Sequence, residues 1–193
     1  KRMLAYSGIA QMGYVAIGLA TFDGAAFEGI LVFLAGYLAT NIAAFLAVAA
    51  LSNGEKEAHP LADLAGMGRN RPFAATVLTL AMLSLTGLPP TVGFIGKLLV
   101  FRAAIDAGLM TLALVGIFGS LVSAGYYLRV VYFLWMKEPS REVAAPEEDV
   151  LSGAAYILVS AAMLYLGVFP RFLLDLARVA ARIAAENRAK DVV

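Results

Sequence analysis

The sequence contains no cysteine and a single histidine, His59, in 193 residues. Without thiols there is no disulfide, no thiolate metal site and no cysteine nucleophile. Charge is scarce as well: 15% of residues are charged, and 15 Lys and Arg against 14 Asp and Glu leave a net charge of +1. That balance offers no basic field, so no nucleic-acid partner is expected. No phosphate-cradling glycine loop, paired-carboxylate site or Ser/His/Asp arrangement stands out, and neither a cofactor nor a metal site is expected in the chain. What remains is apolar. Hydrophobic residues make up 61% of the chain and mean hydropathy is +0.81, more apolar surface than one soluble core of this length could hide. A lipid-embedded chain follows.

A helix needs about 20 mostly apolar residues to cross a bilayer. Measured against that length, the sequence predicts an all-α polytopic transmembrane helix bundle forming a single domain over 1–193. About five spans are predicted, at 3–22, 29–52, 72–107, 109–136 and 150–170. Short polar links separate them, including "DGAAFE", "EKEAHPLADLAGMGRNR" and "KEPSREVAAPEED". The opening "KRMLAYSGIAQ" places Ser7 and Gln11 inside an apolar run and lacks the form of a signal peptide. Since the first residue is not methionine, a fragment of a longer chain is expected.

The third span is too long to be one rod. From 72 to 107 a straight helix would reach roughly 54 Å, against a hydrocarbon core of about 30 Å. Gly87, Pro89, Pro90 and Thr91 lie near its middle in "LSLTGLPPTVGFIGK". Each proline removes an N–H and crowds the preceding turn, and Leu88 is pushed out of the helical region by the proline after it. The chain therefore makes either a hairpin or two half-helices in line. Positive charge favours the second. With one crossing, Lys1, Arg2, Lys56, Arg69, Arg71, Lys137 and Arg141 share a side, and in the two short links on the other side only Arg102 disagrees. The positive-inside rule then puts the Lys1 end in the cytoplasm and the C-terminus outside.

Lys97 is the charge within that long span. It lies seven residues beyond Pro90, roughly 10 Å along the second half-helix, where an ionisable group is costly and marks an ion or proton path. Snorkelling of its stem towards Arg102 is the competing explanation. A lysine, unlike an arginine, can be loaded and unloaded when nearby charge changes. Polar side chains on other spans are candidate lining: Ser7, Gln11 and Tyr14 on one face of the first, Tyr37, Thr40 and Asn41 on the second, and Ser120, Ser123, Tyr126 and Tyr127 on the fourth. Each alone reads as interhelical hydrogen bonding.

Several features read as structural. His59 precedes Pro60 in a polar link, and Glu147, Glu148 and Asp149 form a solvated run or helix cap ahead of the last span. Gly116, Gly119 and Gly125 read as close helix packing, and Tyr132 with Trp135 as an interfacial belt. The segment 171–188 alternates apolar positions with arginines at helical spacing, an amphipathic helix expected at the interface or on a partner subunit.

The motifs taken together resemble a family. "KRMLAYSGIAQMGYVAIGL", "AGYLATNIAAF", "HPLADLAGMGRNRP", "LSLTGLPPTVGFIGK" and "GYYLRVVY" are similar, in order, to segments of the antiporter-like membrane subunits of respiratory complex I and of Mrp-type cation/proton antiporters. "YLATN" stands where the larger antiporter-like subunits carry histidine and lysine, which fits the subunit N branch better. The tail from Lys137 onward is similar only in general character. The resemblance implies two inverted repeats, each with a broken helix, of which this chain holds the C-terminal part and the second break. It implies that Lys97 is the lysine that transfers protons towards the outer side, that Pro89 is the proline of the break, and that Lys1 is a second candidate relay. The acidic residue and lysines of the first repeat lie outside the chain.

Two classes of function are left by these observations. In one, the chain is a proton-translocating segment of NADH:quinone oxidoreductase in a bacterial inner membrane, with NADH, flavin, iron–sulfur clusters and quinone in partner subunits. An Mrp-type antiporter is its sub-variant. In the other, the chain is a structural membrane subunit whose break and lysine only pack against neighbours.

Overall fold

Helix is dictated almost everywhere by the shortage of backbone breakers inside the apolar runs, since lipid offers no partner for a free amide or carbonyl. In the computed structural model, which describes residues 2–21, 24–51, 61–138 and 150–190, the described residues form eight α-helices. These are α1 (Arg2–Leu19), α2 (Gly24–Leu51), α3 (Met67–Asn70), α4 (Pro72–Thr86), α5 (Val92–Asp106), α6 (Met110–Met136), α7 (Val150–Val168) and α8 (Arg171–Lys190). Lys1, His59 and Glu147 to Asp149 lie outside the described residues. The chain is an all-α polytopic membrane bundle, and α2 and α6 are each long and apolar enough to cross a bilayer alone. The link before α4 is not bare loop: it holds a 3-10 turn, Leu61–Leu64, as well as α3.

The long third segment is interrupted where the prolines stand, between Thr86 and Val92. Its two halves run in line. Along α2, Ala50 accepts a hydrogen bond from Arg71, and Thr40 meets Ser84 at 2.9 Å. Further along, Gly36 faces Val92, Phe33 faces Gly96 and Gly29 faces Leu99. As α2 is followed from Ala50 back to Gly29, its partners advance steadily from Arg71 to Leu99. Both half-helices are therefore antiparallel to α2, and a hairpin is excluded.

Apolar packing falls into two clusters. One holds Leu78, Met82, Ala44, Leu51, Tyr127 and Met163. The other holds Tyr14, Ile17, Ile30, Phe33, Val100 and Ala104. Between them, at the level of the break, lies a layer of buried polar side chains: Ser7, Gln11, Thr40, Ser84, Thr86, Thr91, Lys97 and Ser123. A polar slab of this kind within an apolar bundle is what a helix break requires.

One expectation changes, and two features gain a contact. Gly116 does pack tightly, against Ile17 and Phe101, but Gly119 and Gly125 have open space where a side chain would sit. Trp135 donates to Thr79 at 2.8 Å and covers Gly68, so its indole is held by the bundle itself. The amphipathic helix α8 lies against α2 of its own chain, with Ala177 buried and Arg178 3.6 Å from Glu28.

Candidate functional site at the helix break

Any helix C-terminus leaves four carbonyls without helical partners. At the end of α4 all four are accounted for. Gly87 adopts a left-handed conformation, φ 86°, which glycine reaches without the steric cost of a Cβ. Its N–H donates to the Leu83 and Ser84 carbonyls, and the Leu88 N–H to Leu83, a cap of the Schellman type. The remaining two carbonyls, Leu85 and Thr86, face the Lys97 ammonium at 2.8 and 3.1 Å.

Lys97 leaves α5 one turn beyond its start and turns back towards the break. Its third donor reaches Ser120 Oγ on α6 at 3.0 Å, and the nitrogen sits 4.7 Å from the centre of the Tyr14 ring. Three N–H groups thus meet three neutral oxygens, with an aromatic face as a fourth contact. The residue is 5% exposed, so snorkelling towards Arg102 does not occur. Arg102 instead pairs with Asp106 at 3.6 Å on the exposed end of α5. The negative end of the α4 dipole adds to the attraction for a cation at this spot.

The acceptors are themselves held. Gln11 Nε2 donates to the Leu85 carbonyl at 3.2 Å and to Tyr127 Oη at 3.1 Å. The Leu85 oxygen can only accept, which fixes the orientation of the amide. Ser120 Oγ donates to the Thr86 carbonyl at 3.2 Å. On the opposite side of the break, the Gly93 N–H donates to Ser84 Oγ at 3.2 Å, and that hydroxyl also bonds Thr40 Oγ1. Ser84 therefore ties the end of α4 to the start of α5 and to α2. Thr91 caps the turn, donating to the Leu88 carbonyl at 2.6 Å, and the Pro89–Pro90 peptide bond is cis.

Of the sequence-predicted residues, Gly87, Pro89, Pro90, Thr91, Lys97, Gln11, Tyr14 and Thr40 converge on this layer. Ser7 and Ser123 are buried beside it; they donate within their own helices, to the Leu4 and Ser120 carbonyls, and their hydroxyls lie in hydrogen-bonding reach of Tyr127 and Tyr14 respectively. Tyr37 and Asn41 face each other at 3.4 Å along α2, off the lysine. Tyr126 is only partly buried, its ring tilted 55° against that of Tyr127 at 4.4 Å, and Tyr127 is the tyrosine bonded to Gln11. Sequence reasoning missed Ser84, Thr86 and the Leu85 carbonyl. Two hydroxyl residues in the last turn before a proline pair are the signal that could have found the first two.

The family model described as NADH:quinone oxidoreductase/Mrp antiporter, TM, matches residues 1–123. NADH-quinone oxidoreductase subunit N of Geobacter metallireducens is 45% identical over 178 residues, covering 92% of this chain and 38% of that one. The same subunit of Geotalea uraniireducens is 43% identical over 180 residues, 91% of this chain and 37% of its own. Among solved structures, the Mrp complex from Dietzia sp. superimposes with a TM-score of 0.80 at 25% identity, over 92% of this chain and 41% of that chain. Respiratory complex I from Thermus thermophilus with bound NADH gives 0.77 at 26% identity, over 93% and 38%. The chain thus spans less than two fifths of the curated relatives it matches.

Proposed function

We infer, from the premise that this chain belongs to the NADH:quinone oxidoreductase/Mrp antiporter family of membrane proteins, that it is a proton-translocating part of a membrane subunit of NADH:quinone oxidoreductase. The observation that carries this reading is the Lys97 ammonium, buried at a helix break and bound, among the described residues, through neutral oxygens and an aromatic face. Such a group is held by dipoles whose positions can change. No carboxylate locks it in the charged form through these contacts, so a modest change in neighbouring charge can release its proton.

Electron transfer belongs to partner subunits carrying NADH, flavin, iron–sulfur clusters and quinone. This chain takes part through the proton at Lys97, which exchanges along the polar layer beside Gln11, Tyr127, Ser120 and Tyr14. Lys1, which precedes Arg2 in the sequence, is a second relay in this reading. The chain sits in a bacterial inner membrane among other membrane subunits, with α4 and α5 together making one crossing. The basic residues of its links, Arg69, Arg71 and Lys137 among them, face the cytoplasm, Arg102 on the outer side is offset by Asp106, and the arginines of α8 follow the last span on that outer side. Relatives named subunit N at 43–45% identity favour the redox pump over the Mrp-type antiporter, which shares the fold at 25%.

Lys97→Met and Lys97→Arg, each in the assembled complex, test the reading. Methionine is expected to abolish NADH-driven proton pumping with assembly intact, and arginine to fail likewise because it cannot give up its proton. Normal pumping by both variants would leave a structural subunit as the only role.

A further inference from the structure

Freed backbone at membrane depth must be covered by protein or water, and one face of the break is covered by the end of α7. Gly167, in the last turn of that helix, is buried against the backbone of Pro90 and Thr91. A methyl group built on it would overlap the Pro90 carbonyl oxygen and lie 2.5 Å from the Thr91 carbonyl carbon. Both neighbours are main chain, so neither can swing aside as a flexible side chain would. Gly153, fourteen positions earlier on the same helix, has nothing within 4 Å of its open position. The close approach is therefore a property of the break and not of α7 as a whole. Just beyond it the chain bends by 72° at Pro170 into α8, which lies against α2.

Gly93 makes the matching contact from the α5 side: a methyl there would overlap the Ser84 carbonyl oxygen. The two glycines clasp the break between them. Only Gly93 belongs to the broken segment; Gly167 reaches it from 70 or more residues away in sequence.

We propose that Gly167 is a positioning residue for the Lys97 site: by letting α7 touch the Pro90–Thr91 backbone, it fixes the half-helix ends whose carbonyls receive the lysine, and seals that face of the site. This rests on the proton-translocating reading of Lys97. A side chain at 167 forces α7 away from the break, frees the turn from Leu88 to Thr91, and opens the lysine to its surroundings.

The test uses the assembled complex and exploits the lack of cysteine in this chain. Gly167→Ala is expected to lower coupled proton pumping at least fivefold, whereas Gly153→Ala pumps like the parent. In a Lys97→Cys background, Gly167→Ala is expected to raise labelling of that thiol by a hydrophilic maleimide several-fold, an effect that a packing role remote from the site would not produce. Met163→Ala loosens the same helix without adding an atom at the contact and serves where Gly167→Ala does not assemble; it is expected to raise labelling in the same direction. Parent-like pumping and labelling in the assembled variant would overturn the proposal. Failure of the underlying reading is distinguishable, because then Lys97→Met itself pumps normally, whereas a pumping defect in Lys97→Met with an indifferent Gly167→Ala sinks this inference alone.

Discussion

The ammonium of Lys97 lies 2.8 Å from the carbonyl oxygen of Leu85, a residue on the far side of the helix break and twelve positions earlier in the chain. That oxygen is shared. Gln11 donates to it from α1 and to Tyr127 Oη on α6 with the same amide nitrogen, so one glutamine joins three helices at the level of the lysine. Gln11→Leu removes both bonds in a site where Gln11 is 1% exposed. It is expected to cost about 1–3 kcal/mol, the usual penalty when buried partners lose a hydrogen bond. The measurements are the thermal midpoint of the purified complex and its pumping rate; both are expected to fall, and an unchanged midpoint would show that the bridge does not hold the layer.

Two serines one turn apart on α6 give a sharper comparison. Ser120 Oγ accepts from Lys97 and donates to the Thr86 carbonyl, while Ser123 Oγ donates to the Ser120 carbonyl of its own helix and lies in hydrogen-bonding reach of the Tyr14 hydroxyl. Ser120→Ala leaves one ammonium donor without its partner and the Thr86 carbonyl with Lys97 alone, and is expected to lose roughly 1–3 kcal/mol at the site, seen as a several-fold drop in pumping. Ser123→Ala, which leaves every Lys97 hydrogen bond in place, is expected to lose less than Ser120→Ala. Ser120→Thr, which keeps the hydroxyl, should recover most of the loss; equal pumping by all three variants would contradict the hydrogen-bond pattern.

Glycines on the same bundle divide by what faces them. A methyl at Gly93 would overlap the Ser84 carbonyl oxygen, and one at Gly96 would come within 2.6 Å of Phe33 Cα. Those substitutions push backbone against backbone and are expected to cost about 1–3 kcal/mol or more. Gly13 and Gly119 face open space, so alanine there is expected to be neutral or to gain up to about 1 kcal/mol from helix propensity. Assembly yield and thermal midpoints of the four alanine variants check the ranking.

The break and the lysine were legible because both violate the surrounding pattern: a proline pair and a charge stand out in an apolar run. The in-line course of α4 and α5 was legible through the side on which positive charge gathers. Less was readable of what completes the site. Leu85 contributes a carbonyl, which any residue carries, so no side-chain pattern identifies it. Gly93 and Gly167 matter through the backbone they approach, which depends on three-dimensional packing; Gly119 and Gly125 look identical in sequence and face nothing. Tyr126 and Tyr127 are adjacent, and choosing the one that reaches Gln11 needs the rotation of α6 about its axis.

Orientation in the membrane can be tested directly, because a chain without cysteine accepts single reporter thiols cleanly. Ala62 and Glu138 lie near the basic ends of α3, α4 and α6, while Ala107 follows α5 at the end where Arg102 is paired with Asp106. One discontinuous crossing by α4 and α5 separates Ala62 from Ala107, and the length of α6 separates Ala107 from Glu138. With the basic side in the cytoplasm, Ala107→Cys is expected to react with a membrane-impermeant maleimide in intact cells, whereas Ala62→Cys and Glu138→Cys react only in inverted vesicles. Reaction of Ala62→Cys and Ala107→Cys from the same side would mean that the broken segment turns back within the bilayer. Reversal of all three would keep the single crossing and overturn only the assignment of the cytoplasmic face, since the same alternation arises whichever side the basic residues occupy.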